Sequence, residues 1–353
     1  MKKYLFLLLL LILPIQTYAY SSIVIDVDSG RVLYENSIHS KELIASTTKI
    51  MTCIIVLENS DVNKNIIVGD EILNMVGTNI YISVGERLKV IDLLYGLMLR
   101  SGNDAAETLA YNTLGYDEFV SKMNLKAKEI GMKDTSFSNP HGLDDNTMNY
   151  STAYDMALLS KYAYKNKIYR KIISTRKYVA KSNLKSYVWY NRMSLLNNYK
   201  KCIGGKNGYT PKAGKSLVSY ASNNDLTLSI VSLDDSEIYD NHKRIYEKYF
   251  SKYNKYLIVD KNGFNIDNGY IKKSFYYPLT KEETEDVTTL IEIYPKSRNK
   301  ILGKVIIKLK NENIGYLNIY NPNKNRPITI GSSSPRSVAI NGIWDKSKIW
   351  RMF

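Results

Sequence analysis

The chain has 353 residues, 44% hydrophobic and 24% charged, which excludes a disordered or fibrous protein and predicts two folded domains. The formal net charge is +15, but the lysines are spread out rather than clustered. The excess fits attraction to an anionic wall or membrane surface and carries little functional weight alone.

Residues 1–19 read as an export signal. Lys2 and Lys3 give a basic start, Leu5 to Leu13 is an apolar run too short for a comfortable membrane span, and Thr17-Tyr18-Ala19 offers a small-residue cleavage site. An uncleaved anchor is the alternative. Either way the chain is expected to work outside the cytoplasm, which argues against a nucleic-acid partner.

Ser22–Ile25 and Arg31–Tyr34 read as strands joined by a turn at Asp28-Ser29-Gly30. A helical apolar run covers Thr47 to Leu57, and Ile66–Val68 is a short strand candidate. Val90–Leu99 reads as a helix, broken at Ser101-Gly102-Asn103 before a second helix starting near Asp104. Further helices are predicted at Tyr116–Ile130 and Thr152–Tyr164, the latter with Thr152 and Asp155 placed for a capping box. Strands follow at Ser216–Ala221 and Leu226–Leu233, then a helix at Ile238–Tyr249. After residue 268 the pattern is nearly all strand: Val287–Tyr294, Ile301–Leu309 and Ile314–Tyr320. Ser332-Ser333-Ser334-Pro335 reads as a linker to a tail carrying Trp344, Trp350 and several basic residues. The domains expected are a signal at 1–19, an α/β domain at 20–252, a β-rich domain at 268–331 and a tail at 332–353.

Cys53 lies in an apolar helical run and reads as a core residue, although an exported protein could pair it with Cys202. No Cys/His grouping has metal-ligand spacing.

Three polar groups could carry chemistry. In Ser46-Thr47-Thr48-Lys49 the serine and lysine share one helix face. A lysine screened from water near other cations can lose its proton and activate that serine. Ser-x-x-Lys recurs at Ser174/Lys177, Ser182/Lys185 and Ser297/Lys300, but only Ser46 opens an apolar run that would bury the lysine stem. In Ser101-Gly102-Asn103 a hydroxyl could relay a proton and an amide could hold a peptide backbone; an ordinary helix-capping turn would look the same. In Lys206-Asn207-Gly208-Tyr209 the lysine could bind a carboxylate and Gly208 would admit a substrate strand; a tight turn between strands would also fit.

Order and spacing join the three. Ser-x-x-Lys, Ser-x-Asn some fifty residues on, and Lys-x-Gly on a later strand resemble the active-serine set of penicillin-recognising enzymes. The chain resembles D-alanyl-D-alanine carboxypeptidases of the low-molecular-mass penicillin-binding protein family. The similarity extends through Ala45–Thr52, Asp92–Ala106, Asn139–Asp144 and Tyr150–Ala153, covering roughly residues 20–250 and, more loosely, the β-rich part.

The resemblance implies an α/β fold: a transpeptidase-like sheet with a helical cluster, followed by a small all-β domain. It implies that Ser46 attacks the D-Ala–D-Ala carbonyl and Lys49 takes its proton. Ser101 and Lys206 would pass that proton to the departing D-alanine, and Asn103 would orient the substrate. Backbone N–H groups of Ser46 and Tyr209 would form the oxyanion hole. Asn207, Gly208 and Tyr209 would complete the substrate strand. Peptidoglycan stem peptides are the expected substrate and β-lactams the expected inhibitors, with no metal or organic cofactor. The family's third motif is usually Lys-Thr-Gly, and Asn207 stands in place of threonine; its amide can donate a similar bond with longer reach. His141, in a Pro-His-Gly turn, reads as loop-ordering rather than as a base.

The competing readings are a serine β-lactamase, a non-catalytic wall-binding homologue supported by Asn207, and a D,D-endopeptidase. A β-lactamase with a dedicated deacylating glutamate would carry it between the second and third motifs, and there is no Glu between Glu129 and Glu237. Relatives often bind the membrane surface through a C-terminal amphipathic segment, and the tail's tryptophans and basic residues suit such an interface. An added strand or cap of the β-rich domain would fit as well.

Overall fold

A computed structural model of the protein describes residues 20–264, 269–294 and 300–322, and the backbone of 336–341. The expected signal, the Ser332–Pro335 linker and the tryptophan-bearing end of the tail lie outside the described residues.

The central sheet has five strands: β1 (Ser21–Asp26), β2 (Val32–Asn36), β5 (Cys202–Thr210), β6 (Gly214–Asn223) and β7 (Leu226–Leu233). Their order is β2-β1-β7-β6-β5, with every neighbouring pair antiparallel. β1 is buried at every residue because the sheet is covered on both faces. Ile23, Ile25, Val218, Tyr220, Val231 and Leu233 enter one core. Their strand neighbours Val24, Leu217, Leu228 and Ile230 enter another, on the opposite face.

The first core belongs to the helical cluster: α1 (Lys49–Asn59), α2 (Val90–Tyr95), α3 (Asn103–Thr113), α4 (Tyr116–Ile130), α5 (Ala153–Tyr164) and α6 (Lys167–Ser174). Thr152 caps α5 as expected, its hydroxyl accepting from the Asp155 N–H at 3.1 Å. Cys53 is a free, fully buried core residue of α1, and Cys202 is also free and buried. The second core is closed by α7 (Ser194–Asn198) and α8 (Ile238–Lys252). The hairpin β3 (Lys177–Lys181) and β4 (Ser186–Tyr190) was not foreseen; its alternating pattern is interrupted by lysines and a polar turn.

The C-terminal part pairs β8 (Asn254–Val259) with β9 (Phe275–Leu279). It then forms a four-stranded sheet from β10 (Val287–Ile293), β11 (Ile301–Leu309), β12 (Glu312–Tyr320) and β13 (Arg336–Asn341), in the order β12-β11-β10-β13. β10 alternates buried and half-buried residues, the pattern of a sheet with one covered face. Its buried side packs with Ile258, Val259, Tyr277 and Leu279 in a core of its own. Two differences from expectation appear here. The strand pattern starts at residue 254 rather than 268, and Arg336–Asn341, expected as tail, pairs with β10. Arg31, in the β1–β2 turn, ties the two parts together. Its guanidinium donates to Glu283 at 2.6 and 2.9 Å and to the Pro278 carbonyl at 2.6 Å, between the rings of Tyr253 and Tyr277.

Candidate active site

Ser46 stands in a single 3₁₀ turn, Ala45–Thr48, that runs directly into α1. Ala45 takes a positive φ of 44° there, a conformation that costs an L-residue about 1–2 kcal/mol and needs surrounding packing to persist. That packing comes from two glycines. A Cβ on Gly142 would lie 1.9 Å from the Ala45 carbonyl oxygen, and a Cβ on Gly208 would lie 2.8 Å from the Ser46 nitrogen. The 139–144 loop and strand β5 therefore grip the serine turn from two directions, and only glycine permits the approach.

Lys49 is the first residue of α1 and has no solvent exposure. Its Nζ lies 2.9 Å from Ser46 Oγ, 2.8 Å from Asn103 Oδ1 and 2.6 Å from the His141 carbonyl oxygen. Two of these partners are pure acceptors; only the serine hydroxyl has a proton to give. A neutral amine in this position donates its two N–H groups to Asn103 and His141 and turns its lone pair to Ser46. Burial, and then the nearby charge of Lys206, hold the Lys49 pKa well below that of an ordinary lysine.

Ser101 ends a π-helical turn, Gly96–Arg100, that follows α2, so the helix expected through Leu99 changes geometry after Tyr95. The turn closes with the Ser101 N–H donating to the Gly96 carbonyl and Ser101 at φ 64°. Such local distortions are frequent at functional sites, and this one delivers the hydroxyl to Lys206 Nζ at 3.0 Å. Lys206 lies on β5 and is also buried. Its pKa is lowered to about 7, by burial first and then by Arg192. Asn103 opens α3, with its Oδ1 on Lys49 and its Nδ2 donating to the Val76 carbonyl at 2.8 Å. One N–H of that amide is left for other partners.

Alternation along β5 separates the third group. Lys206 and Gly208 face the serine turn, while Asn207 and Tyr209 project from the opposite face of the strand. Asn207, Gly208 and Tyr209 line a hollow of about 250 Å³ with Lys215, Ser216, Ile238 and Tyr239. Of the other Ser-x-x-Lys copies, Ser174 and Lys177 are exposed, and Ser182 accepts from backbone N–H groups of its own turn. Ser297 lies outside the described residues.

Four residues near the site were not singled out from sequence. Asp104 accepts the backbone N–H groups of Ile80, Tyr81 and Ile82, and so holds the 76–82 segment against the site. Asp144 accepts from the Thr210 hydroxyl at 2.5 Å, joining the 139–144 loop to β5. Arg192 supplies positive charge near Lys206. Glu107, buried in α3, lies against His141. Only the helical spacing of Glu107 from Asn103 could have drawn attention to it, and that spacing is common on solvent-facing helices. His141 is neutral: burial and then Lys49 lower its pKa to about 3. Among the described residues no group of three or more His, Cys, Asp and Glu could hold a metal ion.

A buried lysine lies against a serine, backed by a second lysine–serine pair, on a sheet flanked by helices. The chain belongs to the D-alanyl-D-alanine carboxypeptidase family, whose match covers residues 13–237. Among relatives, D-alanyl-D-alanine carboxypeptidase DacF of Bacillus subtilis is 35% identical over 59% of this chain, a match spanning 55% of that protein's length. DacB2 of Mycobacterium tuberculosis is 33% identical over 62% of this chain and 75% of its own. A solved D-alanyl-D-alanine carboxypeptidase from M. tuberculosis is 30% identical, with a TM-score of 0.63 over 66% of this chain and 91% of that one. Penicillin binding protein 5 from Haemophilus influenzae, at 24% identity, shares the fold over 88% of this chain and 98% of its own, with a TM-score of 0.72.

Proposed function

We propose that the protein is a serine-type D-Ala-D-Ala carboxypeptidase that removes the terminal D-alanine from peptidoglycan stem peptides and is acylated by β-lactams. The observation that carries this reading is Lys49 Nζ at 2.9 Å from Ser46 Oγ, with its other contacts both to oxygens that cannot donate. Ser46 Oγ attacks the penultimate carbonyl as its proton passes to the Lys49 amine. The resulting oxyanion is met by the backbone N–H groups of Ser46 and Tyr209, donors worth about 100- to 1,000-fold in rate. Ser101 and Lys206, 3.0 Å apart, return a proton to the departing D-alanine nitrogen, and water hydrolyses the Ser46 ester. Asn103 orients the peptide with its remaining N–H, and the β5 edge from Asn207 to Tyr209 lies alongside the substrate strand.

The site acts on a wall polymer, so the protein works outside the cytoplasm, with residues 1–19 as its export signal and the residues after β13 as a contact to the membrane surface. No helix among the described residues is long and apolar enough to cross a membrane. The test is intact-protein mass after mixing with penicillin, alongside Ser46→Ala, and D-alanine release from a peptide ending in D-Ala-D-Ala. A penicilloyl adduct on the parent protein alone, together with D-alanine release, supports the reading. A folded parent protein that takes no adduct favours the non-catalytic wall-binding homologue.

A further inference from the structure

Glu107 is a buried ionisable group beside the site that the mechanism above does not use. Glu107 is 4% exposed, and its Oε1 has no hydrogen-bond partner among the described residues although it lies 3.3 Å from His141 Nε2. A buried carboxylate oxygen without a partner costs about 1–3 kcal/mol or more, and such groups call for an explanation in function.

The hydrogen bonds of His141 fix the sense of the contact. His141 Nδ1 accepts the Leu143 N–H at 3.0 Å, so in the neutral ring the proton sits on Nε2. Nε2 lies 3.3 Å from Glu107 Oε1, a close polar approach without hydrogen-bond geometry. The same residue's backbone carbonyl receives Lys49 Nζ at 2.6 Å. A chain of contacts therefore runs from Glu107 through the His141 ring and backbone to the amine beside Ser46. It has its own foundation, because Asn139 Oδ1 accepts the Gly142 N–H at 2.6 Å and orders the loop between these points.

We propose that Glu107 is a positioning residue for Lys49: it holds His141, and hence the carbonyl that aims the lysine, and its carboxylate is one of the charges acting on that amine. The inference rests on Ser46 being the nucleophile and Lys49 its base.

Electrostatics give the sign. An ionised Glu107 favours the ammonium form of Lys49, whereas a neutral one leaves the amine free. Burial, and then the charge of Glu71, raise the Glu107 pKa to about 7, with Lys49 opposing. The two groups therefore titrate as a coupled pair. The other groups facing them are Asp104 and Lys206, which act on Lys49 from α3 and β5, and Tyr116 at the start of α4, whose own pKa is raised in part by Glu107.

Two variants separate charge from position. Glu107→Gln keeps an acceptor for His141 and removes the charge. Glu107→Leu removes both. The rate of penicilloyl-adduct formation is followed by intact mass from pH 5 to 9. With Glu107→Gln the acid limb of the profile moves to lower pH, because one of the two carboxylates that favour the Lys49 ammonium is gone while Asp104 remains. With Glu107→Leu the acid limb moves the same way, because the charge is lost here too, and the plateau rate above it falls about ten-fold, the cost of one lost positioning contact. A Glu107→Gln profile that overlays the parent profile overturns the inference. So does a folded Glu107→Leu protein acylated at the parent rate. Failure of the underlying reading looks different, because the parent protein then takes no adduct at any pH.

Discussion

Two buried clusters in this molecule each place a serine against a nitrogen base, and only one of them is poised for chemistry. At the serine turn, Lys49 Nζ meets Ser46 Oγ at 2.9 Å, and Ser46 is half-buried. Beneath the other face of the sheet, His242 Nδ1 lies 2.8 Å from Ser219 Oγ, and its Nε2 lies 3.0 Å from Ser232 Oγ. By distance alone the second cluster is the better nucleophile–base pair. However, Ser219, Ser232 and His242 have no solvent exposure, and Ser219 is also bonded to the Tyr246 hydroxyl at 2.8 Å. Its polar atoms are occupied by one another, so the cluster satisfies buried groups within the sheet core. Reactivity here depends on access and on partners that leave the base one unfilled direction, rather than on a short hydrogen bond.

The sharpest way to break the comparison is to delete each serine. Ser46→Ala is expected to abolish the penicilloyl adduct, and Lys49→Met to slow acylation by roughly 100- to 10,000-fold. Ser219→Ala is expected to leave acylation unchanged while costing about 1–3 kcal/mol of stability in a urea melt, through the partners it strands. Acylation lost in a folded Ser219→Ala protein would erase the distinction.

Next in size is the grip on the serine turn. Gly208→Val puts carbon atoms where the Ser46 nitrogen lies 2.8 Å away, and a loss of about 100-fold or more in acylation is expected from displaced oxyanion donors. Near-parent rates in a folded variant would mean that the turn tolerates movement. Asn207→Thr restores the family's usual third motif. Because Asn207 projects from the face of β5 away from Lys206, the change is expected to alter D-alanine release by less than about ten-fold. A larger gain would give Asn207 a place in the catalytic machinery.

The smallest effect concerns pH. Burial lowers the His242 pKa from 6.5 to about 3, so the unfolded chain takes up a proton that the native cluster refuses. His242 therefore destabilises the fold increasingly as pH falls from about 6.5 towards 3, and adds no such penalty above that window. Replacing it with leucine is expected to be costly at pH 7.5 and progressively less so at pH 5.5 and 4.5, read as the gap between the two melting curves. A gap that stays constant across that range would mean that His242 is not held neutral.

The contrast also separates what could be read from the chain and what could not. Ser46, Lys49, Ser101, Asn103 and Lys206 stood out because each lies in a short pattern whose order and spacing are distinctive, and the Ser46 pattern opens an apolar run. The strands β1, β6 and β7 and the helices α1, α4, α5 and α8 followed from periodicity and turn residues, which are local properties. The hairpin of β3 and β4 escaped because polar turn residues and exposed lysines dilute its alternation. The strand β13 escaped because its pairing with β10 is a long-range choice that leaves no mark on the intervening turn-rich sequence. Glu107 and Arg192 escaped for the same reason, since nothing adjacent to them in the chain distinguishes a buried carboxylate or a nearby guanidinium from a solvated one.

The sequence thus determined the residues available for chemistry, the elements that carry them and the family to which they belong. Tertiary structure decided which groups surround the lysine nitrogens. It brings the His141 carbonyl and Asn103 onto the Lys49 amine, and Ser101 onto the Lys206 amine, from segments distant in the chain. Burial then lowers the pKa of both amines, because removing an ammonium from water is unfavourable unless an opposite charge replaces the solvent. That desolvation exists only once the chain has closed around the site.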